Sequence, residues 1–281
     1  MIRLALALVG LVGALVLAPG PAHARPLDEV RDSGALRVTV YRNNKPWSWF
    51  ENGKPHGIDV EIGAALARAL GVRVEYLELR EDDRIDDDLR NGVWRGTVVG
   101  EAPGDVMLHV PYDKELEVRN DLVKLAAPYH VDGLAMAVDP AKATAAQDFS
   151  LFRTEKVSVD VGTLADFILV SAFDHKLIPN VVHARGTERA FKAYELGEVV
   201  AVYGASAEIE AGLRELRRPA TLIYPTTTLR SEWVLGLAVK VNSRDLGYAM
   251  ADVIEQMKTS GEMERIFARH GVTWRAPRLA E

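Results

Sequence analysis

Residues 34–71 combine a strand, an aromatic loop and a helix in one short stretch. Leu36, Val38 and Val40 alternate with polar neighbours, as residues of a half-buried β-strand do. Apolar residues then recur at helical spacing up to a glycine. A strand that leads through a loop into a helix places the loop at the carboxyl edge of a sheet, where open α/β folds bind ligands. The sequence therefore predicts an α/β fold with a site at residues 43–50.

The expected ends of this helix are Asp59, as the N-terminal cap, and Gly71, just after the last turn. The loop before it contains Trp47, Trp49 and Phe50. Aromatic side chains on a loop at the edge of a sheet are candidates for contact with a ligand or partner, although core packing is the alternative for each one taken alone.

Composition narrows the class of protein. The 281 residues carry a formal net charge of −6 at pH 7, without a run of basic residues, which argues against nucleic-acid binding. There is no cysteine, so neither a disulfide framework nor thiolate chemistry is available. The length is sufficient for two lobes with separate cores.

The amino-terminal segment has the pattern of a cleaved export signal. Arg3 precedes an apolar run over residues 4–18, and Ala22, His23 and Ala24 fit a signal-peptidase site. We expect residues 1–24 to be removed and the mature chain to be periplasmic, without a membrane anchor. A retained anchor is the alternative, but the apolar run is shorter than a spanning helix.

Residues 34–71 resemble the opening of the periplasmic solute-binding proteins of the polar amino-acid type, family 3. Residues 126–133, 157–163 and 235–240 resemble the first crossing, a ligand loop and the return strand of that family. Residues 249–270 resemble its last helices.

The resemblance implies a two-lobed periplasmic binding protein fold with a cleft between lobes joined by two hinge crossings. Lobe one would comprise residues 25–131 plus 234–281, and lobe two residues 132–233. The crossings would lie near residues 129–133 and 231–235.

In that family an arginine and a Gly-Thr turn bind the carboxylate of an amino acid. The resemblance makes Arg119 a candidate for the arginine, although an exposed surface arginine is the alternative. Gly162 and Thr163 match the turn and precede a helix, so we expect their backbone donors to be free for an anion.

A departure from the family concerns the ammonium group of the ligand. Ala205 stands where amino-acid binders have an aspartate, and a buried ammonium without a counter-charge is costly. An amino acid is therefore not the expected ligand. We expect a largely apolar cleft instead, and its ligand- or partner-binding aromatic candidates are Trp47, Trp49, Phe50, Tyr129, Phe167 and Tyr203.

Residues 95–104 form an insertion relative to ordinary family members. The stretches on either side, residues 90–97 and 105–111, resemble the J-type accessory proteins of PQQ-dependent methanol dehydrogenases. This implies a partner-binding protein that assists assembly or activation of such a quinoprotein, the partner being the dehydrogenase or its cytochrome. We expect the free protein to be a monomer without cofactor or metal.

Two other functions remain open. One is a transporter receptor for a solute other than an amino acid. The other is an enzyme similar to the periplasmic cyclohexadienyl dehydratase, which uses carboxylates in its cleft. Glu117 or Glu208 would have to supply that carboxylate here. The acidic residues 81–88 lack the spacing of a calcium loop and are interpreted as a solvated helix start. His109 is expected to be a half-buried strand residue with its hydrogen bonds satisfied.

Overall fold

The structure is a computed structural model that describes residues 24–226 and 231–278. The expected signal segment lies outside the described residues, apart from Ala24. Among the helices described, none is long and apolar enough to cross a membrane.

Strands and helices alternate along most of the described chain. The strands are β1 (Ala35–Tyr41), β2 (Asn43–Asn44), β3 (Ser48–Glu51), β4 (Lys54–His56), β5 (Arg73–Leu79), β6 (Val106–Pro111), β7 (Val123–Val138), β8 (Val157–Asp160), β9 (Val181–Ala184), β10 (Ala201–Ala205), β11 (Thr221–Ile223) and β12 (Glu232–Lys240). The α-helices are α1 (Leu27–Ser33), α2 (Ile58–Leu70), α3 (Ile85–Leu89), α4 (Lys114–Arg119), α5 (Leu164–His175), α6 (Thr187–Glu195), α7 (Ser206–Glu215), α8 (Arg244–Thr259) and α9 (Glu262–Arg269).

The strand–loop–helix prediction for the first part of the chain is confirmed. β1, α2 and β5 form a parallel unit in which β1 also pairs with β6. Gly71 ends α2 in the left-handed conformation, with φ of 75°. The predicted N-terminal cap is wrong, because Gly57 caps α2 and Asp59 lies inside its first turn. The aromatic loop is more ordered than expected, since β2, β3 and β4 form a small antiparallel sheet.

Two groups of strands meet at the long strand β7. The first follows the order β5-β1-β6-β12-β7, and the second follows the order β7-β10-β8-β9, with β11 also paired to β7. The predicted crossings are neighbours, because Val131, Asp132 and Gly133 of β7 pair with Val234, Trp233 and Glu232 of β12.

Hydrophobic clusters cover both faces of each group. In β7, Leu134 and Met136 pack with α5, whereas Ala135 and Ala137 on the opposite face pack with α6 and α7. On the first group, one cluster contains residues of α2, α8 and α9, and the other contains residues of α3 and α4. The limits proposed for the two lobes are compatible with this division and remain a prediction.

Candidate functional site

Two β-bulges lie on either side of Gly236 in β12. The pairing of β6 with β12 shifts register beside Gly236, and within this bulge His109 has φ of 61°. On the other side of β12, β7 places residues 127–129 opposite Gly236. Bulges redirect side chains out of the regular alternation. Here they bring His109 and Tyr129 together beside the first turn of α2.

Asp59, His109 and Tyr129 form a polar network at this point. The Tyr129 hydroxyl donates to Asp59 Oδ1 at 2.8 Å and accepts from the backbone N–H of His109 at 3.0 Å. His109 Nδ1 lies 3.5 Å from Asp59 Oδ2. Within the described chain, neither of these two atoms has a hydrogen bond. The expectation of a fully satisfied His109 is therefore wrong. Burial, aided by the charge of Asp59, holds the pKa of Tyr129 well above its usual value, so its hydroxyl stays a donor.

Trp47 lies beneath this network and not on a surface. Its ring centroid is 4.6 Å from His109, 5.4 Å from His130 and 5.7 Å from Phe267, and only 1% of the residue is exposed. Burial, followed by the neighbouring Arg275 and His109, lowers the pKa of His130 to about 3. His130 is therefore neutral at physiological pH and packs as part of the core.

The larger opening between the lobes, which we call the wide groove, has a volume of about 970 Å³. Its first-lobe wall includes Lys45, Trp49 and Arg269, and its second-lobe wall consists of residues from α6 and α7. Lys45 and Glu188 form an ion pair of 2.8 Å that joins the two walls. Charged side chains make up about half of the lining, so the expected largely apolar cleft is wrong for this groove. The reason is that the side chains of Trp47 and other aromatic candidates are buried in the hydrophobic cores.

Glu208 lies in the wide groove, on the first turn of α7. Its carboxyl group accepts a hydrogen bond from the Thr187 hydroxyl. Burial, and then the nearby carboxylates of Asp132 and Asp160, raise its pKa from 4.5 to about 7. A carboxyl group thus remains in the cleft one helical turn beyond Ala205, and it is partly protonated near neutral pH.

A smaller opening, the narrow groove, has a volume of about 310 Å³ and a mainly apolar lining. Its apolar lining residues are Ile85, Pro111, Tyr112, Leu116, Leu164, Trp233 and Val234. Leu164 lines this groove, and Val161, Leu164 and Phe167 expose 50%, 41% and 58% of their surface; we call these three residues the apolar rim. Leu164 and Phe167 are three residues apart and therefore lie on one face of α5. The apolar surface expected in the cleft is found here.

Arg119 also lines the narrow groove, but its guanidinium is engaged. Its Nε donates to Asp86 Oδ1 at 2.9 Å, and half of its side chain is exposed. Asn120 donates to the same carboxylate oxygen at 2.7 Å. The acidic run thus serves as a local partner for α4. In residues 24–226 and 231–278 no group of His, Cys, Asp or Glu is arranged to hold a metal ion.

The Gly-Thr turn before α5 is occupied by a carboxylate of the chain itself. Gly162 N–H donates to Asp166 Oδ2 at 2.9 Å, and His183 Nε2 lies 2.9 Å from Asp166 Oδ1. The Thr163 hydroxyl accepts from Asp166 N–H at 3.2 Å and donates to the carbonyl of Asp160 at 2.8 Å. The expectation of free donors is wrong for the Gly162 N–H, because Asp166 already supplies the anion that the helix N-terminus favours.

The remaining candidates divide between core and surface. Tyr129 and Tyr203 are buried with exposures of 0% and 1%, so they are not available to a partner. Phe50 is half-buried against the first-lobe core. Trp49 lines the wide groove and stacks on His56 at 5.6 Å. Of the aromatic candidates, Trp49 and Phe167 are therefore the ones placed to contact a ligand or partner.

Sequence reasoning missed Asp166 and the role of His109, and it considered Glu208 only as a residue of the enzyme alternative. The spacing of Thr163 and Asp166 is that of a capping box, which would have identified the occupied turn. The position of His109 depends on the bulge between β6 and β12, and no local sequence pattern predicts this bulge.

Comparisons with known proteins agree with this geometry. The family model for bacterial extracellular solute-binding proteins, family 3, matches residues 36–94. No curated protein sequence matches the chain.

Solved structures match over most of the chain. A reconstructed ancestral cationic amino acid solute-binding protein is 22% identical with a TM-score of 0.69, over 87% of this chain and 99% of that one. The unliganded, open L-cystine solute receptor of Neisseria gonorrhoeae is 16% identical with a TM-score of 0.65, over 90% of this chain and 100% of that one. An ancestral amino-acid-binding protein described as a precursor of cyclohexadienyl dehydratase is 24% identical with a TM-score of 0.61, over 87% and 99%.

The described chain, with its two groups of strands, paired crossings and intervening cleft, therefore has the fold of the family 3 extracellular solute-binding proteins.

Proposed function

We propose that this protein is a periplasmic accessory protein that binds a PQQ-dependent methanol dehydrogenase or its cytochrome and assists its assembly or activation. The observation that carries the proposal is the apolar rim beside the narrow groove. Large apolar side chains exposed on neighbouring turns of one segment are typical of interaction surfaces. The resemblance of residues 90–97 and 105–111 to J-type accessory proteins supplies the identity of the partner.

The polar contacts of the cleft support this choice over an amino-acid receptor. Arg119 is engaged by Asp86, and Gly162 is engaged by Asp166. The usual position of the ammonium partner is Ala205. Two elements that would bind the carboxylate of an amino acid are thus bonded within the protein, and the usual aspartate for its ammonium is replaced by alanine.

The proposal is tested with purified protein and a purified PQQ-dependent methanol dehydrogenase. Complex formation is measured by analytical ultracentrifugation, and dye-linked alcohol oxidation is measured in parallel. Phe167→Ala should weaken the complex by about fivefold or more, since truncation of a central aromatic contact costs more than about 1 kcal/mol. The matched control is Tyr248→Ala, because Tyr248 on α8 is similarly exposed, at 63% against 58%.

Two results would argue against the proposal. Wild-type protein that neither binds the dehydrogenase or its cytochrome nor changes the oxidation rate excludes the accessory function. A complex weakened equally by Phe167→Ala and Tyr248→Ala excludes the apolar rim as the interface. Sedimentation of the protein alone tests the accompanying proposal of a monomer.

A transporter receptor for a solute other than an amino acid is the second candidate function. The volume of the wide groove, with Glu208 and Thr187 inside it, favours this candidate. Thermal shift with a panel of alcohols, amines and sugars tests it. A saturable ligand whose binding is lost in Glu208→Ala, without dehydrogenase binding, would favour the receptor.

A further inference from the structure

The segment after α9, residues 271–278, lies along the first crossing. The carbonyl of Arg275 accepts from Val131 N–H at 2.9 Å, and the Trp274 indole N–H donates to the carbonyl of Tyr129 at 2.8 Å. The N–H of Arg275 donates to His130 Nδ1 at 3.3 Å. Three consecutive residues of β7 are thus bonded to this segment at the predicted first crossing.

The same segment also contacts the second lobe. The Arg275 guanidinium forms an ion pair with Glu210 of α7, whose side chain is only 4% exposed. Glu210 further accepts from Thr273 N–H at 2.6 Å and from the Tyr224 hydroxyl at 2.9 Å. Removal of the guanidinium would leave a buried carboxylate without its counter-charge, which is strongly unfavourable.

A third set of contacts connects the first crossing to the Arg275–Glu210 ion pair. Arg275 Nη1 lies 3.1 Å from the Ser206 hydroxyl, which donates to Asp132 Oδ1 at 2.6 Å. Asp132 belongs to the crossing, and it also accepts from Gly133 N–H at 2.8 Å. Arg214 of α7 adds a separate link by donating to the carbonyls at the end of α9.

Rotation of one lobe against the other needs changes of φ and ψ at the crossings. Because residues 271–278 are fixed to the crossing and to α7 together, such a rotation must break the buried Arg275–Glu210 pair. We propose that residues 271–278 act as a strap that holds the two lobes at one angle. This inference goes beyond the proposed function and does not depend on which partner or solute the protein binds.

Spin labels test the strap directly, since the chain has no native cysteine. Labels on Lys54→Cys in lobe one and Arg189→Cys in lobe two report the distance between the lobes; both sites are exposed. In wild-type background we expect one narrow distance distribution. Arg275→Ala should broaden it and shift its mean, and amide exchange at Val131 should become at least about tenfold faster.

Two further variants complete the test. Arg278→Ala is the matched control, because Arg278 is an exposed arginine of the same segment, and it should leave the distribution unchanged. Glu210→Gln removes the negative charge of the ion pair while it keeps the shape of the side chain. If Arg275→Ala does not fold, this variant tests the strap in its place. Distributions for Arg275→Ala and Glu210→Gln that match those of wild type and Arg278→Ala would overturn the proposal.

Discussion

The hydroxyl of Tyr129 donates a hydrogen bond of 2.8 Å to Asp59, and both side chains are almost completely buried. This bond joins the bulge of β7 to the first turn of α2. The other oxygen of Asp59 has no hydrogen bond among the described residues, although His109 Nδ1 lies 3.5 Å away. Among the described residues, the Asp59 carboxylate therefore relies on the Tyr129 hydroxyl for its hydrogen bond.

Tyr129→Phe should lower the free energy of unfolding by about 1–3 kcal/mol, because a buried carboxylate oxygen loses its donor. Chemical denaturation followed by tryptophan fluorescence measures the loss. Tyr203→Phe is the control, because the Tyr203 hydroxyl is buried without a hydrogen bond in the described chain, and its removal should be neutral or stabilising. Equal losses in both variants would contradict this account of the Tyr129 bond.

Trp47 and Trp49 are two residues apart but should behave differently. Trp47→Ala removes a side chain packed among His109, His130 and Phe267, and it should cost about 3–5 kcal/mol of stability. Trp49→Ala, at the wall of the wide groove, should cost less than about 2 kcal/mol. Urea titration of both variants gives the comparison. A larger loss for Trp49→Ala would mean that the core position of Trp47 is incorrect.

The segment that contains Trp47 and Trp49 shows which features the sequence could predict. Periodicity and the closing glycine correctly predicted β1, α2 and the parallel unit, because these signals are local. Which aromatic side chain faces inward was not predictable, because Trp47 lies in the turn between β2 and β3, whereas Trp49 lies within β3. The alternation of sides along a strand therefore does not extend from one residue to the other.

His109 illustrates another cause of error, and Arg119 shows a contact that spacing cannot predict. The position of His109 results from pairing with β12, more than a hundred residues later, so no local pattern reveals it. Arg119 was assigned by family spacing, yet the guanidinium pairs with Asp86, and only tertiary contacts determine that choice. By contrast, the capping-box spacing of Thr163 and Asp166 was readable from the sequence.

The occupied recognition elements predict that common amino acids do not bind. Isothermal titration with L-arginine, L-cystine and L-glutamate should give no saturable heat, because Asp166 occupies the Gly-Thr turn and Arg119 is paired with Asp86. Removal of one carboxylate alone, as in Asp166→Asn, should not create a site while Ala205 provides no charge for an ammonium. Micromolar binding of any of the three by the wild-type protein would contradict the prediction.

Glu208 should make the stability of the protein depend on pH. Its pKa is raised from 4.5 to about 7 in the folded protein, mainly by burial. Between these values the folded state keeps a proton that the unfolded state has released, so the free energy of unfolding falls as pH rises. The loss is complete above pH 7 and amounts to about 3.5 kcal/mol, since one pKa unit corresponds to about 1.4 kcal/mol.

Glu208→Gln stays neutral and should remove this part of the pH dependence. Relative to wild type, the variant should gain about 3 kcal/mol of stability between pH 4.5 and pH 8. Urea unfolding at several pH values measures both curves. Glu215→Gln, an exposed position on the same helix, is the control and should follow the wild-type curve. Parallel curves for wild type and Glu208→Gln would show that Glu208 titrates as an ordinary solvent-exposed glutamate, and the assignment of a protonated carboxyl group in the wide groove would then be wrong.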